Sequence, residues 1–186
     1  IIENEKVKGQ VEIYKTDKDD SNIKIPNVEF EILDIDNKVV DRITTNKDGY
    51  AISKKLPVGK YYLKELKTNS NYVLNEDKIN VNIEGNKIVR FEIQNEKIKG
   101  KIKIVKTSSN DSPILGIKQG ESLEGVEFEI FDSNNELVDT LITNKEGETI
   151  SKKLEIGRYK VKEKATNKYY ILNANEFIVN ITANNE

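Results

Sequence analysis

Apolar and polar residues alternate with a period of two along almost the whole chain, in runs of five to seven where Val, Ile, Leu, Tyr and Phe trade places with Lys, Glu, Thr and Asn. This is the pattern of half-buried β-strands, and no segment of ordinary helix length carries a 3.6-residue period. Strands are predicted near 10–16, 28–34, 38–45, 50–55, 60–67, 78–84 and 87–95. The turns between them, Asp36-Asn37, Asn46-Lys47-Asp48-Gly49, Pro57-Val58-Gly59 and Glu84-Gly85-Asn86, hold residues that tolerate tight or left-handed backbone.

The pattern then repeats. GQVEIYKTD at Gly9 recurs as GKIKIVKTS at Gly100, and the segment that begins VEFEI at Val28 recurs from Val126. The offset is 91 residues at the first strand and 98 from Val28 onward, so the second copy carries seven extra residues within 108–124. Insertions of this kind are tolerated at surface connections. IIENEKVKG at 1–9 also matches EIQNEKIKG at 92–100. Residues 1–8 therefore read as the tail of a preceding repeat, 9–97 as a first β-sandwich domain, and 98–186 as a second that lacks its last strand. The expected class is all-β: two tandem antiparallel β-sandwiches of Ig-like or transthyretin (prealbumin)-like type. Only Glu96, Lys97, Ile98 and Lys99 precede Gly100, a connection short enough to imply a stiff rod. The chain reads as a piece cut from a longer array.

Composition narrows the chemistry. Thirty basic residues against thirty-two acidic ones give a net charge of -2, which provides no field for nucleic acid or an anionic bilayer. Neither a nucleic-acid partner nor membrane insertion is expected. With no Cys and no His, the chain has no disulfides, thiol nucleophiles, usual zinc ligands or usual general base. No cofactor or metal is expected. The Asp17–Asp20 segment and Asp34 with Asp36 hold the oxygen ligands calcium takes, but acidic residues beside tight turns read more simply as solvated. Thr16 and Thr107 have outward parity, as do Tyr14, Tyr62 and Tyr169. No repeated pair of carboxylates suggests a glycan-cleaving site.

Three apolar stripes end in polar residues. Val11, Ile13 and Lys15 share a strand face; so do Tyr61, Leu63 and Glu65, and again Val89, Phe91, Ile93 and Asn95. The second copy repeats two of these stripes, ending in Lys106 and Glu163. One reading has the polar residues at strand ends, with lysine snorkelling to solvent. Another is a buried Lys-Glu salt bridge. A third is chemical. In an apolar pocket desolvation favours a neutral amine and a protonated carboxylic acid. Lys15 would then attack the side-chain carbonyl of Asn95 while Glu65 moves protons, and ammonia would leave.

These residues, with G-x-x-x-x-x-K (Gly9 to Lys15, Gly100 to Lys106), L-x-G-V-E-F (Leu123 to Phe128; IPNVEF in the first copy), T-N-K-[DE]-G and G-x-Y-x-[LV]-x-E, resemble the Cna-B-type, or SpaA-like, repeats of Gram-positive surface adhesins and pilins. The resemblance implies Glu65 and Glu163 as the catalytic acids. It implies Lys15 with Asn95 as the partners of an isopeptide bond, and Lys106 with a partner absent from the second copy. Asn27 stands where the family usually has Gly.

The function expected is a structural stalk or pilin-like module of a cell-surface protein, extracellular and cell-wall anchored as part of a longer protein. It would be locked by spontaneous Lys-Asn bonds and would not be an enzyme in turnover. The alternative is an adhesin module whose loops, 108–124 above all, contact a host matrix protein. Neighbouring repeats are the other expected partners. Asn4, matching Asn95, is the leftover partner of a preceding repeat, and the strand around it would be available for donation to another molecule.

Overall fold

The alternating runs form strands, and no helix occurs, among residues 6–183, which the computed structural model describes. The chain divides into two units, Ile1–Lys97 and Ile98–Glu186. The first contains β1 (Lys8–Asp17), β2 (Glu29–Leu33), β3 (Val39–Thr44), β4 (Tyr50–Ile52), β5 (Leu56–Pro57), β6 (Gly59–Lys67), β7 (Lys78–Ile83) and β8 (Ile88–Asn95). Seven of these answer to the predicted runs. The eighth, β5, is a two-residue pairing with the start of β1.

The strands lie in two facing sheets. One has the order β3-β2-β6-β7; in the other β1 lies between β4 and β8. Val11, Ile13 and Ile93 from the second sheet meet Phe30, Ile32, Leu63 and Val81 from the first. Each such side chain, buried fully, stabilises the unit by about 1.5–3 kcal/mol. The β1–β8 ladder is parallel, running from Gln10↔Ile88 to Asp17↔Asn95, within an otherwise antiparallel unit. Its cause is the Glu84-Gly85-Asn86 turn, which carries the chain from one sheet to the other instead of closing a hairpin in one. Asn86 takes a left-handed φ of 57° there.

The second unit repeats the plan with β9 (Lys99–Gly100), β10 (Lys103–Val105), β11 (Glu127–Phe131), β12 (Leu137–Ile142), β13 (Glu148–Ile150), β14 (Leu154–Glu155), β15 (Gly157–Ala165) and β16 (Glu176–Ile181). Its larger sheet is β12-β11-β15-β16. The counterpart of the ten-residue β1 is broken into β9 and β10, and among the described residues nothing takes the place of β8. A separate core forms from Ile102, Val126, Phe128, Ile130, Val161 and their neighbours.

Two motif positions have a backbone cause. Asn27 has φ 60° and its counterpart Gly125 φ 77°, so an asparagine meets a left-handed requirement that glycine meets in the second copy. Gly49, at φ 68°, lies under β1: a Cβ there would come 2.3 Å from the Lys15 carbonyl oxygen. Gly147 lies the same way under Lys106. Gly116 supplies a control, since it shares the left-handed φ with no atom within 4 Å of a would-be Cβ. Gly49→Ala should lower first-unit stability by about 2–4 kcal/mol, and Gly116→Ala should cost the second unit only the backbone strain of about 1 kcal/mol. Denaturant unfolding of the two variants measures the difference.

Candidate functional site

Where β1, β6 and β8 converge, Lys15, Glu65 and Asn95 come together with 0%, 3% and 2% of their surfaces exposed. The Lys15 Nζ donates to Glu65 Oε2 at 2.8 Å and to Asn95 Oδ1 at 2.5 Å. Asn95 Nδ2 donates to Glu65 Oε1 at 2.6 Å and to Thr68 Oγ1 at 2.9 Å. The Phe30 ring closes the pocket, its centroid 5.6 Å from the amine. Burial pushes the Lys15 amine below the usual lysine value, and the hydrogen bond and charge of Glu65 offset this only in part. A buried ion pair alone accounts for Lys15 and Glu65; it does not account for a carboxamide that bonds both.

Local structure explains the convergence. Lys15 faces inward by strand parity, and its backbone N–H donates to the Gly49 carbonyl at 2.7 Å. On β6 the pairing with β2 slips: Glu29 lies opposite Lys67, but Phe30 lies opposite Glu65. The bulge ends the inward stripe at Glu65, leaves Leu66 exposed, and brings Thr68 round to face Asn95. The second copy bulges at the same place, with Glu127 opposite Ala165 and Phe128 opposite Glu163. Thr68 is the site residue that the strand pattern misses. A signal for it existed, since Thr68-Asn69 recurs unchanged as Thr166-Asn167.

A second buried group stands beside the first. Asp17 is 1% exposed, which corrects the reading of its segment as solvated. The Tyr72 hydroxyl donates to its Oδ2 at 2.8 Å, Lys97 Nζ lies 3.6 Å away, and the backbone N–H groups of Asp19 and Asp20 donate to Oδ1. Burial pushes this carboxyl upward, but the Tyr72 hydroxyl, the two amides and the Lys97 charge outweigh it and hold Asp17 below the usual carboxylate range. Because Asp17 pairs with Asn95 across β1 and β8, this latch fixes the strand ends beside Lys15, Glu65 and Asn95.

In the second unit Lys106 Nζ donates to Glu163 Oε2 at 2.8 Å, but the lysine side chain is 21% exposed. Glu163 Oε1 and Thr166 Oγ1 are buried and have no hydrogen-bond partner among the described residues. Asn4 lies outside the described residues.

The remaining sequence candidates are engaged otherwise. Asp34 Oδ1 accepts the Asp36 and Lys38 amides of its own turn, and among the described residues no three acidic side chains are grouped to hold a metal ion. Thr16 is buried despite its outward parity, since the 18–24 loop folds back and Lys24 bridges to it. Thr107 is exposed. Tyr14 packs at a tilt against Tyr50 with Arg90 over its ring, and Lys78 lies over Tyr62; Tyr169 is exposed, with Lys168 over its ring. No helix among the described residues is long and apolar enough to cross a membrane.

Two tandem sandwiches, each with a lysine in or directly after its first strand bonded to a buried glutamate, define a class of repeated prealbumin-like module. The family model described as the SpaA prealbumin-like fold domain matches residues 9–97 and again 100–186, and the chain belongs to that family. Among solved structures the TIE protein of Bacillus anthracis matches with a TM-score of 0.74 and 34% identity, over 95% of this chain and 32% of that one. The trypsin-resistant surface T6 protein of Streptococcus pyogenes is 50% identical over 48 residues, 26% of this chain and 9% of that protein. The collagen adhesin of Staphylococcus aureus is 37% identical over 78 residues, 39% of this chain and 6% of that protein. The chain thus spans less than a tenth of the length of either curated relative.

The latch makes a test by pH. Asp17 has a folded value below its unfolded one, so its contribution is complete above the ordinary aspartate pKa and is lost as pH falls through the folded value. Tyr72→Phe should destabilise the first unit by about 1–3 kcal/mol at neutral pH. Its deficit against the parent should shrink below about pH 4. Denaturant titrations at pH 7 and pH 3 measure both.

Proposed function

We propose that the first unit matures by forming an amide between Lys15 and Asn95, and that the chain serves as a stalk module of a Gram-positive cell-surface protein, anchored outside the cell. The observation that carries the chemical part is the Lys15 amine, free of solvent, in contact with both the Asn95 carboxamide and the Glu65 carboxyl. A neutral Nζ attacks the Asn95 carbonyl carbon. Glu65, bonded to both nitrogens, takes the proton from Nζ and returns it to the departing nitrogen, so one C–N bond forms, one breaks, and ammonia leaves. Contact within a rigid pocket supplies the effective concentration that an unassisted amide exchange lacks. The event happens once per molecule, so it is maturation and not turnover.

The bond spans 80 residues of sequence. By analogy with a disulfide closing a loop of that length, it would remove about 4–5 kcal/mol of unfolded-state entropy. It also joins the first strand to the last. Tension applied along the chain would pass from β1 to β8 through one covalent link and bypass the residues between. The likeness to a streptococcal surface protein named for trypsin resistance supports the same property here, in a chain with thirty Lys and Arg.

The second reading, contact with a host matrix protein, is supported by the exposed Ile114, 75% accessible in the inserted 108–124 segment, and by the likeness to a collagen adhesin. Collagen binding itself belongs to that relative. Deleting 110–120 should abolish adhesion to immobilised matrix proteins on this reading and leave it unchanged on the first.

Mass spectrometry tests the first reading. The intact chain should weigh about 17 Da less than its sequence, one ammonia, while Glu65→Ala and Lys15→Ala should each have full mass. In those variants the first unit should also be digested by trypsin under conditions in which the first unit of the parent survives. A parent of full mass would overturn the proposal.

A further inference from the structure

The Asn95 nitrogen is held from two sides. It donates to Glu65 Oε1 at 2.6 Å and to Thr68 Oγ1 at 2.9 Å, which engages both of its hydrogens, while Asn95 Oδ1 faces Lys15 Nζ. A lysine, an asparagine and a proton carrier are what amide exchange between the two side chains needs. Thr68 is outside that set, and among the described residues its hydroxyl bonds only to the nitrogen that would depart.

The backbone places this hydroxyl against the strand period. Counting by twos from Glu65 turns Lys67 inward and Thr68 outward. The structure has the reverse: the slip of β6 against β2 leaves Leu66 and Lys67 exposed and turns Thr68, half-buried, toward Asn95. The turn that follows needs no hydroxyl at 68. It is closed by Asn69, whose side chain accepts the Asn71 amide at 3.0 Å and whose carbonyl accepts the Tyr72 amide at 2.9 Å. Between the two copies Leu66-Lys67 becomes Lys164-Ala165 and Ser70-Asn71 becomes Lys168-Tyr169, while the threonine recurs as Thr166.

The chemistry gives such a hydroxyl something to do. An amide nitrogen shares its lone pair with the carbonyl and does not accept a proton until an incoming nucleophile ends that sharing. It then becomes pyramidal, and its lone pair has to point at the Glu65 carboxyl, where an N–H points at the start. The nitrogen must therefore turn about its bond to carbon, moving that hydrogen off Glu65 and bringing the lone pair in. A partner that keeps hold of the other hydrogen makes the turn a pivot instead of a free rotation, so proton transfer begins from an aligned pair. Thr68 Oγ1 is the acceptor in position to do this.

We infer that Thr68 is a fourth working member of the site, which holds and steers the departing Asn95 nitrogen while Glu65 protonates it. The inference rests on the amide-forming reading above. Nζ bonds to the Asn95 side-chain carbonyl carbon and gives one proton to Glu65, and the bond from that carbon to Nδ2 breaks. Nδ2 leaves as ammonia with its own two hydrogens, one of them held by Thr68 until the bond breaks, and the one that Glu65 relays.

The test follows the full 186-residue chain from synthesis. Parent and variants are made by cell-free translation, samples are quenched in acid at intervals, and intact mass reads the loss of one ammonia, about 17 Da. Thr68→Val keeps the shape of the side chain and removes the acceptor, and it should slow the loss by about three- to tenfold, the worth of one hydrogen bond to the reacting group. Thr68→Ala should be slowed alike, and it carries the test if valine disturbs the fold. Thr68→Ser, which keeps the hydroxyl, should stay within about twofold of the parent. The same three substitutions in a Lys15→Ala chain, where no bond can form, give denaturant midpoints for the fold alone. Rates that follow the hydroxyl, with serine fast and valine and alanine slow, support the role. Rates that rank with the midpoints instead, or a serine variant as slow as the valine one, reduce Thr68 to a structural residue and overturn it. A parent that loses ammonia while valine and alanine variants keep pace overturns the role of Thr68 and leaves the amide reading standing. A parent of full mass overturns both.

Discussion

An amine without exposed surface has to be neutral or surrounded by acceptors, because a lone buried cation would cost more than a small domain's whole stability. Lys15 satisfies this with two oxygens, one from β6 and one from β8. Much of the first unit is arranged around that demand. Only a parallel return of β8 beside β1 brings Asn95 to the depth of the lysine. The bulge after Glu65 stops the inward stripe where the carboxyl is needed, and Gly49 leaves the Lys15 carbonyl the room that any side chain would take. The Asp17 latch then holds the two strand ends together at the point where the polar groups meet.

Strand parity makes the three main residues legible, because a period of two assigns each side chain to a face without reference to any partner. It also yields the strands themselves, to within a residue or two at most ends. What parity cannot encode is relation between strands. That β8 pairs with β1, and in parallel, depends on a sheet change at Glu84–Asn86 that a turn signal alone does not distinguish from a hairpin. Thr68 escaped for a related reason: a bulge breaks the period, so counting by twos loses the face beyond Leu66. Asp17 was misjudged because exposure at a strand end depends on a distant cover, here Tyr72 and the loop after β1.

The two units form an internal experiment in what one strand contributes. With the same lysine, glutamate, bulge and supporting glycine, the second copy, for which no β8 counterpart lies among the described residues, keeps its Lys-Glu bond and its larger sheet. It loses the continuity of its first strand, the full burial of its lysine and the partners of two acceptors. The larger sheet and most of the core are therefore set by β11, β12, β15 and β16, while the last strand supplies enclosure. Enclosure is what lowers the amine's affinity for protons in the first unit.

Copies this alike carry a hazard during folding, since a strand from one can pair in the slot of its neighbour. The inward faces offer little protection, because the inward residues of the two first strands are alike, Val11 and Ile13 in one copy and Ile102 and Ile104 in the other. The outward faces do: β8 in its own slot sets Arg90 on Glu12, whereas in the other slot it would set Arg90 against Lys103. Like charges directly opposed in a sheet destabilise the pairing. One exchanged charge on a solvent-facing position thus disfavours the wrong pairing and favours each strand in its own repeat.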